Sequence, residues 1–212
     1  AAMNEGGIRT LGRTTGSEAQ ILFPDGHVEP FVRRRGASIL EMKSLFRLAV
    51  KENVEAVVVE CMALRPENQS AIAKTLVKPT HVVITNTYID HIPEMGDSIK
   101  QTAYVMGLSV PVGSKLFVTE PHYDNLKAEI HQVETSQKTI EGSVPIHAEN
   151  YALAKAVLNS LHIGPEALEN GAKAIVPDVG LHESFTAKGG AFFVPTFSVN
   201  DLSGNNMLMF LV

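Results

Sequence analysis

The chain has 212 residues, of which 44% are hydrophobic and 19% are charged, so it is long and apolar enough to bury a sizeable core. Its formal net charge of −5 argues against broad nucleic-acid binding, which needs a basic face. The single cysteine excludes an intrachain disulfide, and no apolar run reaches the length of a membrane-spanning helix.

The predicted elements alternate between strands and helices. Residues 20–32 predict a β-hairpin around a Pro-Asp-Gly-His turn. Short aliphatic runs predict four further strands, at residues 54–59, 80–85, 115–119 and 191–194. Segments of helical period lie among them, at residues 39–51, 66–77, 98–108, 149–161 and 165–174. This order predicts an α/β fold: a doubly wound, mostly parallel sheet with helices on both faces and a small hairpin insertion.

Both ends of the chain suggest an internal segment of a longer protein. Residues 1–7 have the pattern of the last turn of a helix followed by a glycine stop. Residues 205–212 form an apolar run without a terminator, after a polar stretch that begins near residue 194. We expect one domain over residues 1–199, and the start of a linker to a further domain over residues 200–212.

Glu60 is the first candidate site residue. It follows an aliphatic run, and the carboxyl end of a parallel strand lies at the crevice where open α/β sheets bind ligands. A carboxylate there can hold Mg²⁺ through oxygen, although a strand-end salt bridge explains the same pattern.

Asn86, Asp90 and His91 crowd the end of the next aliphatic run. Carboxylate and imidazole at one crevice suit a metal ion and a phosphoryl group. The alternative is a polar loop in which Asp90 caps the next helix.

Three weaker motifs complete the candidates. Thr14, Thr15 and Gly16 follow Arg13 and can bind an anion through backbone N–H groups, but they also suit an ordinary turn. The loop of Arg33, Arg34 and Arg35 can grip carboxylates or remain solvated. Asn150, near the start of a helix, can cap that helix or contact an adenine. The sequence has no G-x-x-x-x-G-K-[ST] motif, and therefore no Walker-type phosphate cradle.

In this order the features resemble the Mur ligase superfamily, and more closely the catalytic ATPase subunits of bacterial poly-γ-glutamate (capsule) synthases. The matching stretches are GIRTLGRTTGSEAQI, RRRGASILEM, EAVVVECMALRPENQ and HVVITNTYIDHIPEMG, followed by the looser HAENYALAKAV, VPDVGLHES and FSVNDLSGNN. The specific part is the combination of ECMA, which contains Glu60, with the N-x-x-x-D-H pattern of Asn86, Asp90 and His91.

The resemblance implies a P-loop-NTPase-like central domain of an ATP-dependent amide ligase. In such an enzyme, ATP phosphorylates the terminal carboxylate of a growing chain, and the amine of an incoming glutamate attacks the acyl phosphate to form a γ-glutamyl bond. The implied cofactors are ATP and Mg²⁺. The implied partners are glutamate, poly-γ-glutamate and small membrane subunits, which would hold a cytoplasmic domain at the membrane; a homo-oligomer stays open and nucleic acid is not expected.

The resemblance also implies roles for single residues. Glu60 and His91 would be Mg²⁺ ligands near the γ-phosphate, with Asn86 and Asp90 shaping the site. The phosphates or the acceptor would lie by Thr14, Thr15 and Gly16, and the anionic substrate would face Arg33, Arg34 and Arg35. The adenine would contact Asn150, and the exit toward a C-terminal domain would contain Asn200 and Asp201.

Two departures from the family pattern limit this expectation. The P-loop strand with its helix would precede this chain and a C-terminal domain would follow Val212, so the segment alone is expected to be inactive. Pro93 stands where the family's D-H-x-D pattern has its second acid. The alternatives are another Mur-like ligase, which adds an amino acid to a wall precursor or a folate-type substrate, and a non-catalytic scaffold for a membrane partner.

Overall fold

The structure is a computed structural model, which describes residues 1–15, 19–33, 36–135, 148–175, 185–186, 188–189 and 192–193. Short strands and helices alternate along these ranges. In chain order they are α1 (Ala2–Glu5), β1 (Thr10–Arg13), β2 (Gln20–Leu22), β3 (Val28–Pro30), α2 (Glu41–Lys51), β4 (Ala56–Val59), α3 (Pro66–Ala71, continued by a π-helical turn at Ile72–Leu76), β5 (His81–Ile84), α4 (Ile92–Met95), α5 (Ile99–Gly107), β6 (Lys115–Val118), β7 (Glu129–Gln132), α6 (Ala148–Ser160), α7 (Pro165–Lys173), β8 (Phe185–Thr186) and β9 (Phe192–Phe193).

The first sheet has the strand order β3-β2-β1-β4. β1 pairs with β4 in parallel, whereas β1, β2 and β3 are joined antiparallel, so the predicted hairpin is confirmed. One face of this sheet packs against α2, because the apolar residues of α2 recur at helical spacing and bury Leu45 beside Leu11 of β1. Because β1 and β4 are parallel neighbours, their carboxyl ends lie side by side.

The second sheet is parallel throughout, in the order β5-β6-β7. Leu116 and Val118 alternate with Phe117 along β6, and they join Ile84 and Ala103 of α5 in a second core. A third cluster joins α1, α6 and α7, with Leu158, Ile163 and Leu168 at its centre. Within the described residues, no helix has both the length and the hydrophobicity that crossing a membrane requires.

The predicted doubly wound α/β class is confirmed, although the described strands form three parallel and three antiparallel pairs rather than a mostly parallel sheet. The expected helix at 66–77 changes to π-helical hydrogen bonding after Ala71. The predicted strand at 191–194 is present as β9, which pairs antiparallel with β8. The boundary expected at residue 199 falls outside the described residues and stays a prediction.

No described strand joins the first sheet to the second. Among the described strands, β4 pairs only with β1, and β5 pairs only with β6. Each of these edge strands exposes an aliphatic side chain in its interior: Val58 of β4 is 51% exposed and Val83 of β5 is 42% exposed. Exposed aliphatic side chains on edge strands are typical of surfaces that another element or partner covers.

Three aromatic rings are stacked across the second sheet. Phe117 of β6 lies between His81, at a centroid distance of 6.1 Å, and His131, at 4.7 Å. The charged groups around His81 are Lys115, Glu129 and His131. Burial, followed by the charge of Lys115, lowers the pKa of His81, while Glu129 acts in the opposite direction.

The lowered pKa of His81 predicts a loss of stability in mild acid. The unfolded chain binds a proton at His81 near pH ~6.5, which lies above the pKa of His81 in the folded protein. The stability that neutral His81 contributes is therefore complete above that pH and is lost as the pH falls toward the folded pKa. Urea unfolding of wild type and His81→Phe between about pH 7.5 and 5.5 should show a shallower decrease in the variant.

His162→Asn is the matched control for this experiment. His162 is exposed and has a φ of 59°, which asparagine tolerates, so the variant should keep the wild-type pH dependence. The same slope in wild type and His81→Phe would contradict the prediction.

Candidate functional site

Glu60 directly follows β4 and is tied to the loop after β1. Its Oε2 accepts a hydrogen bond of 2.6 Å from the backbone N–H of Thr15, and its own N–H donates to the carbonyl of Arg13 at 3.2 Å. Because β1 and β4 are parallel, their carboxyl ends meet here. Glu60 is exposed, and among the described residues its Oε1 has no hydrogen-bond donor, so this oxygen is available to a cation.

Thr14 belongs to the connection between β1 and β2 rather than to the open part of the site. Its N–H donates to the carbonyl of Gln20 at 3.0 Å, and its Oγ1 accepts from the N–H of Gln20 at 3.2 Å. These bonds close the β1–β2 connection, so Thr15 is the threonine that reaches Glu60. Gly16 lies outside the described residues.

The loop after β5 brings Asp90 and His91 together. Oδ1 of Asp90 accepts from the N–H of His91 at 2.7 Å, and its Oδ2 lies 3.5 Å from Nε2 of the imidazole. His91 has a φ of 50°, in the left-handed region that β-carbon-bearing residues rarely adopt, and it precedes α4. The alternative in which Asp90 caps α4 is wrong, because His91 occupies that position. Both side chains are exposed.

Asn86 shapes the same loop, since its Oδ1 accepts from the N–H of Tyr88 at 3.2 Å. No hydrogen bond or ion pair joins Glu60 to His91 in the described part of the chain. These ranges also contain no group of three His, Cys, Asp or Glu side chains able to hold a metal ion.

A third strand end contributes a carboxylate that sequence reasoning missed. Glu120 follows β6, and burial raises the pKa of its carboxyl, with His122 and the N–H of Thr87 opposing this shift. Glu149 raises the same pKa, so the start of α6 lies near this strand end. The signal was present, because Glu120 follows an aliphatic run just as Glu60 does.

Asn150 is exposed and lies in the first turn of α6, two residues after its first residue, Ala148. It therefore sits inside the helix, which disfavours the capping alternative and leaves its amide open to a ligand. Asn200 and Asp201 lie outside the described residues, and their expected roles stay predictions.

Arg33, the described residue of the arginine loop, is engaged by a carboxylate rather than solvated. Nε of Arg33 lies 3.2 Å from Oε1 of Glu41, and 24% of the Arg33 side chain is exposed. Arg13, the last residue of β1, pairs with the same carboxylate, and burial lowers the pKa of Arg13. Arg34 and Arg35 lie outside the described residues. Sequence reasoning did not identify Glu41 as a partner of these arginines.

Comparison with known proteins finds homologues among capsule-polymer synthases. The chain is 27% identical over 216 residues to the PGA synthase CapB of Bacillus subtilis (strain 168), an alignment that covers 94% of this chain and 55% of that protein. It is 26% identical over 218 residues to the capsule biosynthesis protein CapB of Bacillus anthracis, covering 95% and 47%. The chain thus spans about half the length of these relatives. No family model matches it.

Solved structures show the same fold at lower sequence identity. A bifunctional folylpolyglutamate synthase/dihydrofolate synthase from Yersinia pestis, in complex with AMPPNP and Mn, superposes with a TM-score of 0.61 at 16% identity, over 84% of this chain and 53% of that one. The S73A mutant of L. casei FPGS gives 0.58 at 11% identity, over 87% and 61%. The chain is therefore similar in sequence to the CapB proteins and has the fold of the folylpolyglutamate synthases.

Proposed function

We propose that this chain is the central portion of an ATP-dependent amide ligase that forms γ-glutamyl bonds. The observation that carries the proposal is the position of two exposed acid-containing loops, Glu60 with Thr15 and Asp90 with His91, at the ends of β4 and β5. Homology to the PGA synthase CapB supports glutamate and poly-γ-glutamate as substrates. The AMPPNP and Mn in a structure of the same fold support ATP with a divalent metal.

The proposed reaction has two steps. A carboxylate oxygen of the acceptor attacks the γ-phosphorus of ATP, and ADP leaves. The amine nitrogen of glutamate then attacks the acyl carbon and loses a proton, and inorganic phosphate leaves as the amide forms. Two anions must approach each other in the first step, so cationic groups are needed to offset their repulsion. Mg²⁺, when bound, would supply that charge, held by Glu60 through its open Oε1 and by His91.

We further propose that one more strand, from outside the described residues, lies between β4 and β5. The second edge of β4 and the second edge of β5 are unpaired among the described strands, and Val58 and Val83 are exposed there. A strand in this position would end between Glu60 and His91, where a phosphate-binding loop would face both side chains. The described residues contain no such loop, which agrees with the absence of a Walker motif in the sequence.

The roles of the remaining residues rest on the resemblance to the Mur ligase superfamily. Asn86 would shape the metal site, Asn150 would contact the adenine and Arg33 would face the acceptor, each from the position described above. Attachment to the membrane through small partner subunits, a cytoplasmic location and a homo-oligomer belong to the same proposal. Co-purification of the full-length protein with its membrane fraction, before and after a carbonate wash, tests the attachment.

Trapping of the acyl phosphate tests the proposed reaction. Full-length protein with ATP, Mg²⁺, a γ-glutamyl acceptor and hydroxylamine should release a hydroxamate together with ADP, because hydroxylamine replaces the amine of glutamate. ATP hydrolysis without a hydroxamate or a γ-glutamyl product would contradict the proposal. A hydroxamate that forms only with a folate or wall-precursor carboxylate would favour the other class of acceptor.

A further inference from the structure

The segment that leaves Glu60 toward α3 has little hydrogen bonding of its own. Residues 61–64 belong to neither a helix nor a strand. Among the described residues, one hydrogen bond reaches a backbone group of this segment: Nε2 of Gln69 donates to the carbonyl of Ala63 at 2.5 Å. Residues 62–64 also line an open cleft of about 350 Å³, so one side of the segment faces open space. Gln69 therefore provides the polar attachment of this segment to α3.

Gln69 suits this contact because its amide group both donates and accepts hydrogen bonds. The residue lies on α3 and is only 4% exposed, so its polar atoms need partners within the protein. Nε2 bonds to Ala63, and Oε1 lies 3.5 Å from Sγ of Cys61, which can donate its S–H. One buried side chain thus spans the first and the third residue after Glu60.

Glu60 is held to β1 by a separate set of hydrogen bonds. Its N–H donates to the carbonyl of Arg13 at 3.2 Å, and its Oε2 accepts from the N–H of Thr15 at 2.6 Å. Neither bond involves the chain that leaves Glu60 toward α3. The contact made by Gln69 supplies this second attachment, so the backbone is fastened on both sides of the proposed metal ligand.

We propose that Gln69 is a positioning residue for the metal site, which acts by holding the segment after Glu60 in place. An amide is required at this position, because a carboxylate cannot donate to the carbonyl of Ala63 and an aliphatic side chain can bond to neither Ala63 nor Cys61. The contact itself stands on the geometry alone, whereas its consequence for Mg²⁺ rests on the proposed ligase function.

The Mg²⁺ dependence of γ-glutamyl transfer by the full-length protein tests this role. In Gln69→Glu at about pH 8, the Mg²⁺ concentration for half-maximal activity should rise by at least about 10-fold, while KM for the acceptor changes little. Toward about pH 6 the buried carboxyl should gain a proton and donate again, so the activity of this variant relative to wild type should recover. Gln69→Leu cannot donate at any pH and should not recover.

Two results would contradict the positioning role. One is an equal Mg²⁺ requirement in wild type and Gln69→Glu, and the other is the same pH dependence in Gln69→Glu and Gln69→Leu, which is expected if the side chain only fills space. Cys61 is the titratable side chain in contact with position 69, and because wild type carries it too, the ratio to wild type removes its contribution. Gln132→Glu is the matched control, since it makes the same change at an exposed position of β7 and should leave the Mg²⁺ requirement unaltered.

Alkylation of Cys61 by iodoacetamide, followed by mass spectrometry, measures the contact without ATP or Mg²⁺. Cys61 is exposed, and the loss of its partner in Gln69→Leu should raise its alkylation rate by at least about 2-fold. An unchanged rate would overturn the contact. Faster alkylation in Gln69→Leu, combined with a wild-type protein that yields no hydroxamate, would uphold the contact and reject the ligase function instead.

Discussion

Glu60→Gln is expected to lower ATP-dependent γ-glutamyl transfer by the full-length protein by about 100- to 1,000-fold. Glutamine keeps the shape of the side chain, and its amide oxygen can still accept the hydrogen bond that Thr15 donates to Oε2. What it loses is the negative charge on the open oxygen, which we propose to be a ligand of Mg²⁺. The fold should therefore survive while the chemical step fails.

The kinetic measurement should include Mg²⁺ dependence as well as rate. With a weakened metal site, the Mg²⁺ concentration for half-maximal activity should rise, whereas KM for the acceptor should change little because Glu60 is assigned to the metal and not to the acceptor. Glu169→Gln, at an exposed position of α7, makes the same charge change away from the site and should leave both quantities unaltered. If wild type and Glu60→Gln hydrolysed ATP equally, the assignment of Glu60 to the metal would be wrong.

The sequence predicted the fold well because its strongest signals are local. Aliphatic runs at 54–59, 80–85 and 115–119 correspond to β4, β5 and β6, and each observed strand is shorter than its run by one or two residues. Ser98 precedes α5, and its side chain accepts from the N–H of Gln101, which agrees with the expected helix start. The π-helical turn after Ala71 has no comparable local signal, because it depends on packing rather than on propensity.

Only the part of the candidate site that lies next to predicted strands could be predicted from the sequence. Residues that follow a strand can be located from the strand alone; Glu60 directly follows β4, whereas His91 lies seven residues after Ile84 of β5, at the start of α4. The pairing of Arg13 with Glu41 joins residues 28 positions apart, on β1 and α2. No spacing rule connects a strand end with the first turn of a later helix, so this contact could be found only once the two elements had been brought together.

Val58→Asp tests whether the edge of β4 is open to solvent or is covered by the proposed further strand. In the 212-residue chain, Val58 is 51% exposed, so an aspartate there can remain hydrated and should cost little beyond the lower β-propensity. In a longer polypeptide that carries the proposed strand between β4 and β5, the same aspartate would be buried without a partner. That change should lower the free energy of unfolding by about 3 kcal/mol or more.

Val112→Asp is the control for this comparison, because Val112 is 80% exposed in the turn before β6 and should tolerate the change equally in both forms. Chemical unfolding of wild type and both variants, each in the short and the long form, measures the difference, and an equal loss for Val58→Asp in both forms would contradict the proposed strand. Titration of the 212-residue chain with Mg-ATP supplies the second half of the argument. Without a phosphate loop between them, Glu60 and His91 should not bind ATP at micromolar concentrations, and micromolar binding would mean that the phosphate cradle lies within this chain.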